Sequence, residues 1–237
     1  MKSRPSVPSD LSRRQFLGHS ARNAAGAAAG MVVLSTTAAL ADRSNQVRVG
    51  VIGVRNQGKN LAERLARFPD VEVAALCDVD SSLKPAAMKA VAEHQESTPT
   101  WHGDFRRILD DPSIDAVVIA TPDHWHAVMG ILACQAGKDV YLEKPVSHTV
   151  DEGTRLVAAA RKYDCVMQTG LQQRSGAHFQ SAIETVRSGK LGRVKLARAW
   201  IANLRQPMKP KQDEPVPAGV DYDMWLGPAQ DRPFNVN

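Results

Sequence analysis

The stretch GVIGVRNQG, residues 50–58, decides how this chain folds. A β-rich run leads into it, and apolar residues recur at helical spacing over residues 58–68 after it. Strand, glycine turn and helix in that order open a βαβ unit. Gly53 and Gly58 fit the dinucleotide-binding pattern G-x-G-x-x-G, but Arg55 stands where the middle glycine belongs. The loop is therefore either a modified nucleotide-binding loop or a plain βαβ turn.

The rest of the chain alternates in the same way, which predicts an α/β fold built on a Rossmann-like, doubly wound parallel sheet. Continuous apolar centres such as AVVIA fit strands that helices cover on both faces. The predicted strands cover residues 47–53, 71–78, 114–121, 138–145 and 165–170. The predicted helices cover residues 58–68, 81–95 (with Ser81 or Ser82 as N-cap), 105–111, 124–137, 150–163 and 177–192.

A change of pattern after residue 170 predicts a second domain. GRVKLARAWIANLR, residues 192–205, alternates apolar and polar side chains, as a strand with one covered face does. We expect it to open an α+β domain with a mainly antiparallel sheet. One strand cannot form a stable sheet, so that domain is missing, supplied by another chain or truncated, and truncation is favoured. The predicted division is a Rossmann domain over 42–170 and an incomplete substrate or oligomerisation domain over 171–237.

The first 41 residues carry most of the net positive charge and indicate an export signal. Paired arginines precede Phe16 and Leu17, a weakly hydrophobic run follows, and Ala39-Leu40-Ala41 forms an A-x-A site. The segment resembles a twin-arginine (Tat) signal, with a membrane anchor as the weaker alternative. We therefore expect an exported, periplasmic protein that meets the Tat machinery and has no stable membrane span after cleavage.

Charge and cysteine content argue against a nucleic-acid-binding protein and against a disulfide-stabilised fold. Residues 1–41 hold five basic residues against one acid, so the remainder of the +5 chain is almost neutral and offers no footprint for nucleic acid. The odd set of three cysteines, each inside an apolar element, fits small buried hydrophobes better than a disulfide framework. Cys77 borders a possible site, but nothing marks it as a nucleophile.

Ligands of parallel sheets bind beyond the carboxyl ends of the strands, which directs attention to three further stretches. Asp78 ends the second predicted strand, where an acid hydrogen-bonds a ribose 2′-hydroxyl and repels a 2′-phosphate. The TPDHWHA stretch holds His124 and His126 with Asp123, too few ligands for zinc, so we expect no metal; Asp123 is the expected helix cap. Glu143 and Lys144 form either a buried pair with acid–base chemistry or a surface turn, and the sequence favours neither.

These stretches together resemble the Gfo/Idh/MocA family of NAD(P)-dependent oxidoreductases, and within it a Tat-exported subgroup. The matching pieces are VGVIGVRNQG, CDVD, IATPDHWHA, VYLEKPVSHTVDEG, QTGLQQRS and DYDMWLGP, in the family's order over residues 47–237. The resemblance implies the roles that follow. The catalytic residue is Lys144, and the proline after it is often cis. The substrate contacts are Lys144, Gln172 and Arg174. The cofactor-binding residues are Gly53, Val54, Arg55, Asn56, Gln57, Gly58, Asp78, Thr121, Pro122, His126, Glu143, Lys144 and Pro145.

The implied reaction is hydride transfer between the nicotinamide and a hydroxyl carbon of a sugar, cyclitol or sugar derivative. The expected cofactor is NAD rather than NADP, held tightly because a free pool is not expected outside the cytoplasm. A homo-oligomer is possible. Two alternatives stay open: an NAD-dependent glycoside hydrolase or lyase that works by transient oxidation, and a non-catalytic nucleotide-binding fragment. The family's usual second-domain Asp and His lie beyond Asn237.

Overall fold

In the computed structural model, which describes residues 46–200 and 209–236, six parallel strands form one sheet in the order β3-β2-β1-β4-β5-β6. This order reverses direction between β1 and β4, as doubly wound nucleotide-binding sheets do, so the predicted Rossmann-like, doubly wound parallel sheet is confirmed. The strands are β1 Val47–Ile52, β2 Val71–Cys77, β3 Thr100–His102, β4 Ala116–Ile119, β5 Asp139–Glu143 and β6 Met167–Gly170.

Helices cover both faces of the sheet. They are α1 Asn56–Leu65, α2 Lys84–Ala92, α3 Arg106–Leu109, α4 Asp123–Gln135, α5 Val150–Lys162, α6 Ala177–Arg187 and α7 Tyr222–Leu226, with 3-10 turns at Ser81–Leu83 and Gln172–Ser175. One buried cluster joins α1 and α2 to the sheet, and the other joins α3, α4 and α5 to the opposite face. Both faces of the central strands are therefore apolar, as AVVIA predicts.

The first crossover is fixed by two glycines that touch. The amide of Gly53 donates to the carbonyl of Cys77 at 2.8 Å, and its φ of +82° turns the chain out of β1. Gly58, in the first turn of α1, lies so close that a Cβ there would sit 1.7 Å from the Gly53 carbonyl oxygen. The strand and helix can approach this closely only because position 58 has no side chain.

Several local predictions are wrong in detail. Asp80, rather than a serine, caps the turn that precedes α2 by accepting from the Ser82 amide. Asp123 is the first residue of α4 and not its cap; Pro122 stands at the N-cap with no side-chain hydrogen bond. The sequence pattern missed β3 and α7, because three and five residues are too short to show a period.

The strand predicted over residues 192–205 is not formed in its described part. Residues 193–200 contain no strand and are exposed, and no described strand lies alongside to accept their backbone hydrogen bonds. Residues 201–208 and the predicted export signal, residues 1–41, lie outside the described residues. The predicted domain boundaries remain predictions. No helix in the described part of the chain is long and apolar enough to cross a membrane.

The contact between the two glycines gives a stability prediction. Gly58→Ala forces a methyl group against a fixed backbone oxygen, so we expect the free energy of unfolding to fall by about 3 kcal/mol. Urea denaturation measures the change. Gly103→Ala is the matched control, since a Cβ there meets nothing within 4 Å and should change stability by less than about 0.5 kcal/mol. Equal stability of the two variants would contradict the contact.

Candidate functional site

The glycine loop presents an open helix end to the carboxyl edge of the sheet. Arg55 stands at the N-cap of α1 with no side-chain cap bond, and Asn56 and Gln57 in the first turn are exposed. Helix N-termini left uncapped in this way carry N–H donors and a partial positive charge. The arrangement suits an anionic group such as a pyrophosphate.

Asp78 holds this loop in place. One carboxylate oxygen accepts the Val54 amide at 2.8 Å, and the other accepts the Asp80 amide at 3.1 Å. Burial raises the pKa of the Asp78 carboxyl, and the two amides act in the opposite direction. Each oxygen keeps a second lone pair, so Asp78 can position the loop and still accept a ligand hydroxyl.

Asp80 and Arg55 form the outer rim. The Arg55 guanidinium lies 3.3 Å from the Asp80 carboxylate, and Ser82 donates both its amide and its hydroxyl to the same acid. Burial acts to raise the pKa of Asp80, but these bonds outweigh it and the pKa is lowered. The Arg55 side chain is 71% exposed. The Arg55 side chain therefore extends away from α1 toward Asp80, in the segment after β2.

His126 ties two loops together beneath the site. Its ring is 1% exposed, with Nε2 2.8 Å from the Thr121 carbonyl and Nδ1 against the Pro145 carbonyl. Both neighbouring groups are backbone carbonyl oxygens, and each tautomer of a neutral ring donates its single N–H to one of them. His126 was predicted to lie beside the nicotinamide. In the structure it lies under the loops after β4 and β5 and connects them; we call it the His126 strut.

Glu143 is a buried junction at the end of β5. Its carboxylate, in a side chain 5% exposed, accepts the Gln57 amide group at 2.9 Å, the Lys144 backbone amide at 3.2 Å and the Gln172 amide group. No described Lys or Arg forms an ion pair with it. Three N–H donors satisfy the buried charge in place of a cation. Glu143 therefore couples the glycine loop to β6.

Glu143 and Lys144 do not form the buried pair that was one of the two predicted possibilities. Lys144 is exposed while Glu143 is buried, and the Lys144-Pro145 peptide bond is cis. The two side chains have separate environments because Glu143 is the last residue of β5, inside the sheet, whereas Lys144 already lies in the exposed segment after it. Gln172 and Arg174 are both exposed, and the side-chain amide of Gln172 donates to Glu143 and to the Tyr141 hydroxyl.

A cleft of about 940 Å³ lies in front of the glycine loop, and the C-terminal residues cover it. Its lower wall includes Gly53, Arg55, Asp78 and Thr121. The hydroxyl of Thr121 is a buried polar atom without a hydrogen-bond partner in the described structure. The glycine turn, the open helix end and this unsatisfied hydroxyl fit a dinucleotide. The covering residues include Pro217, Val220, Tyr222, Met224, Trp225 and Phe234. The sequence pattern did not predict that these residues cover the cleft, although the segment DYDMWLGP, residues 221–228, was one of the pieces that resemble the family.

Metal and thiol chemistry find no support in the described residues. No group of three or more His, Cys, Asp or Glu side chains there could hold a metal ion. His124 instead contacts the Trp225 carbonyl at 2.9 Å. Cys77 lines the cleft floor, but burial raises the pKa of its thiol strongly, which disfavours the nucleophilic thiolate.

The chain belongs to the Gfo/Idh/MocA oxidoreductase family, which has an NAD-binding Rossmann fold; the family's sequence model matches residues 47–171. The uncharacterized oxidoreductase YrbE of Bacillus subtilis is 32% identical over 76% of this chain and 48% of its own length. A glycosyl hydrolase family 109 protein of Shewanella sp. (strain W3-18-1) is 32% identical over 72% of this chain and 38% of its length. The chain thus spans about half the length, or less, of these relatives.

Solved structures share the fold. A probable dehydrogenase from Thermotoga maritima is 26% identical, with a TM-score of 0.55 over 61% of this chain and 42% of its own. Scyllo-inositol dehydrogenase from Lactobacillus casei, solved with NAD(H) and scyllo-inositol, is 23% identical, with a TM-score of 0.57 over 62% of this chain and 42% of its own. The second likeness establishes the fold alone.

The His126 strut gives a prediction for the site. His126→Leu keeps an apolar side chain in the cavity but removes the ring N–H that lies between the Thr121 and Pro145 carbonyls, so we expect the free energy of unfolding to fall by about 1–3 kcal/mol. Urea denaturation measures this loss. His178→Leu, at an exposed position, is the control and should change stability by less than about 0.5 kcal/mol. Similar stabilities for the two variants would show that His126 is not a strut.

Proposed function

We propose that this chain binds NAD for an oxidoreductase that transfers a hydride between the nicotinamide and a hydroxyl carbon of a sugar, cyclitol or sugar derivative. The observation that carries the proposal is the cleft itself: an open helix end, a glycine turn, Asp78 and an unsatisfied Thr121 hydroxyl border one volume of about 940 Å³. That volume lies within the range of small-molecule sites.

This geometry supports the roles that we propose for the cofactor-binding residues. The first-turn amides of α1 receive the pyrophosphate, and Asp78 accepts from the adenosine ribose while it braces the Val54 amide. Asp78 and Asp80 place two carboxylates where a 2′-phosphate would lie, which favours NAD over NADP. Arg55 makes its contact at the ribose side of the cleft, where it already reaches Asp80. When bound, the nicotinamide supplies the hydride chemistry.

Lys144 is the proposed acid–base residue. Its exposed ammonium stands on a flexible stem beyond β5, next to the buried Glu143 that fixes the backbone there. From this position it can donate a hydrogen bond to a substrate hydroxyl and exchange a proton with it. Gln172 and Arg174, after β6, are the proposed substrate contacts. The scyllo-inositol named for the Lactobacillus casei structure supports a cyclitol or a similar polyol as substrate.

A second candidate function is glycoside hydrolysis with transiently reduced NAD. The similarity to several glycosyl hydrolase family 109 proteins of Shewanella favours it. The two activities differ in net redox change. A dehydrogenase accumulates NADH with product, whereas the hydrolase releases an aglycone and leaves the NAD oxidation state unchanged.

Export through the Tat route is a further part of the proposal. Paired Arg13 and Arg14 and the A-x-A site support it, and a folded-state route would let the protein leave with its cofactor already bound. Replacing both arginines with lysine should retain the protein in the cytoplasm, as measured by cell fractionation. Unchanged export would remove the Tat assignment.

Cofactor titration and Lys144 together test the function. NADH should bind, and NADPH should bind at least about tenfold more weakly, equivalent to ~1.4 kcal/mol. Lys144→Ala should lower turnover of cyclitols or hexoses by about 100-fold or more, because the acid–base group is lost, while NADH affinity stays the same. Nucleotide fluorescence measures binding, and NADH absorbance measures turnover.

Lys89→Ala is the matched control, since Lys89 is exposed on α2 and is not among the residues that line the cleft. It should leave both measurements unchanged. Loss of NADH binding by folded Lys144→Ala would make Lys144 a binding residue instead. Failure of the unsubstituted protein to bind NADH would overturn the proposed function.

A further inference from the structure

A short C-terminal segment crosses the cleft from one lip to the other. We call residues 217–227 the strap. Its first anchor is the segment between β2 and α2, where the Ser81 amide donates to the Gly219 carbonyl at 2.9 Å and the Asp221 amide donates to the Val79 carbonyl at 2.9 Å. An antiparallel bridge between Asp80 and Val220 lies between these bonds. The strap is thus attached beside the proposed ribose-binding acids.

The second anchor is at the start of α4, on the opposite lip. The indole N–H of Trp125 donates to the carbonyls of Met224 at 3.0 Å and Trp225 at 3.2 Å. Gly227 has a φ of +47°, and a Cβ there would lie 2.0 Å from Trp125 Cζ2. The strap therefore turns directly against the indole ring, which only a glycine permits.

Between its anchors the strap forms the roof of the cleft. Val220, Tyr222, Met224 and Trp225 face the same volume as Asp78, and the Tyr222 and Trp225 rings stack with centroids 5.7 Å apart. Glu143 and Lys144 do not line this volume. Thr121 and Pro122 after β4 also line it, but the first anchor and Val220 lie on the side of Asp78 and Asp80, where the adenosine of a dinucleotide lies in this fold.

We propose that the strap is a wall of the adenosine subsite and that a bound dinucleotide leaves only when an anchor opens. This rests on the proposed function, since it presupposes that the cleft holds NAD. Apolar and aromatic side chains above the adenine would exclude water, and the anchors on both lips would hold them there. Slow release would keep a cofactor bound through export.

The rate of NADH dissociation tests the strap. In Gly227→Ala the new methyl group pushes the strap away from Trp125, so the dissociation rate constant should rise about tenfold or more, as expected for loss of about one hydrogen bond or contact. Trp125→Phe keeps the aromatic ring but removes the donor to both carbonyls, and should raise the rate in the same direction. Stopped-flow fluorescence with an excess of competing NAD measures both.

Gly189→Ala is the matched control, because Gly189 also has a positive φ, +76°, but a Cβ there meets nothing within 4 Å. Its dissociation rate should equal that of the unsubstituted protein. Competition with fragments locates the effect. The variants should weaken binding of ADP-ribose, which carries the adenosine, more than binding of nicotinamide mononucleotide.

The outcomes separate the two proposals. If the unsubstituted protein binds NADH but both strap variants release it at the unsubstituted rate, the strap inference is wrong and the proposed function stands. Equal weakening of both fragments would also overturn the inference, since the strap would then act on the whole fold. Absence of NADH binding to the unsubstituted protein overturns both.

Discussion

The close approach of α1 to the end of β1 is the constraint on which the site depends. Gly58 lies against the Gly53 carbonyl with no room for a side chain, and this contact fixes where the first turn of α1 points. Asp78 then holds the loop from the next strand through the Val54 amide. The donors at the helix end are aimed into the cleft before any ligand arrives, so binding need not order them first.

The buried carboxylate of Glu143 joins loops that are distant in sequence. Glu143 collects N–H donors from Gln57, Lys144 and Gln172, and no described cation neutralises it. A buried carboxylate satisfied in this way is sensitive to the position of each donor, because losing one leaves charge unpaired in a low-dielectric setting. The glycine loop, the segment after β5 and the start of the turn after β6 are consequently held in one mutual arrangement.

Local patterns were enough to predict the sheet, the glycine turn and the acid after β2, because each depends on periodicity or on spacing within one βαβ unit. They were insufficient where a side chain's partner lies far along the chain. Asp78 braces a backbone amide 24 residues away, and Trp125 meets carbonyls about 100 residues away. The opposite environments of Glu143 and Lys144 were also undetermined, since burial depends on the fold and not on the residue pair. Residues 192–205 have the alternating pattern of a strand, but the described structure contains no neighbouring strand with which residues 193–200 could pair.

Arg55 shows how this loop accommodates a departure from the glycine motif. Gly53 and Gly58 already provide the close approach of strand and helix, so position 55 can carry a long side chain that extends to Asp80.

His126 has a broader consequence. Its ring is shared by the carbonyls of Thr121 and Pro145, so the loops after β4 and β5 cannot drift independently. Substitutions in the two loops will be energetically non-additive. Sequence divergence in the two loops then proceeds through paired changes, in which a replacement tolerated in one loop depends on the residue already present in the other.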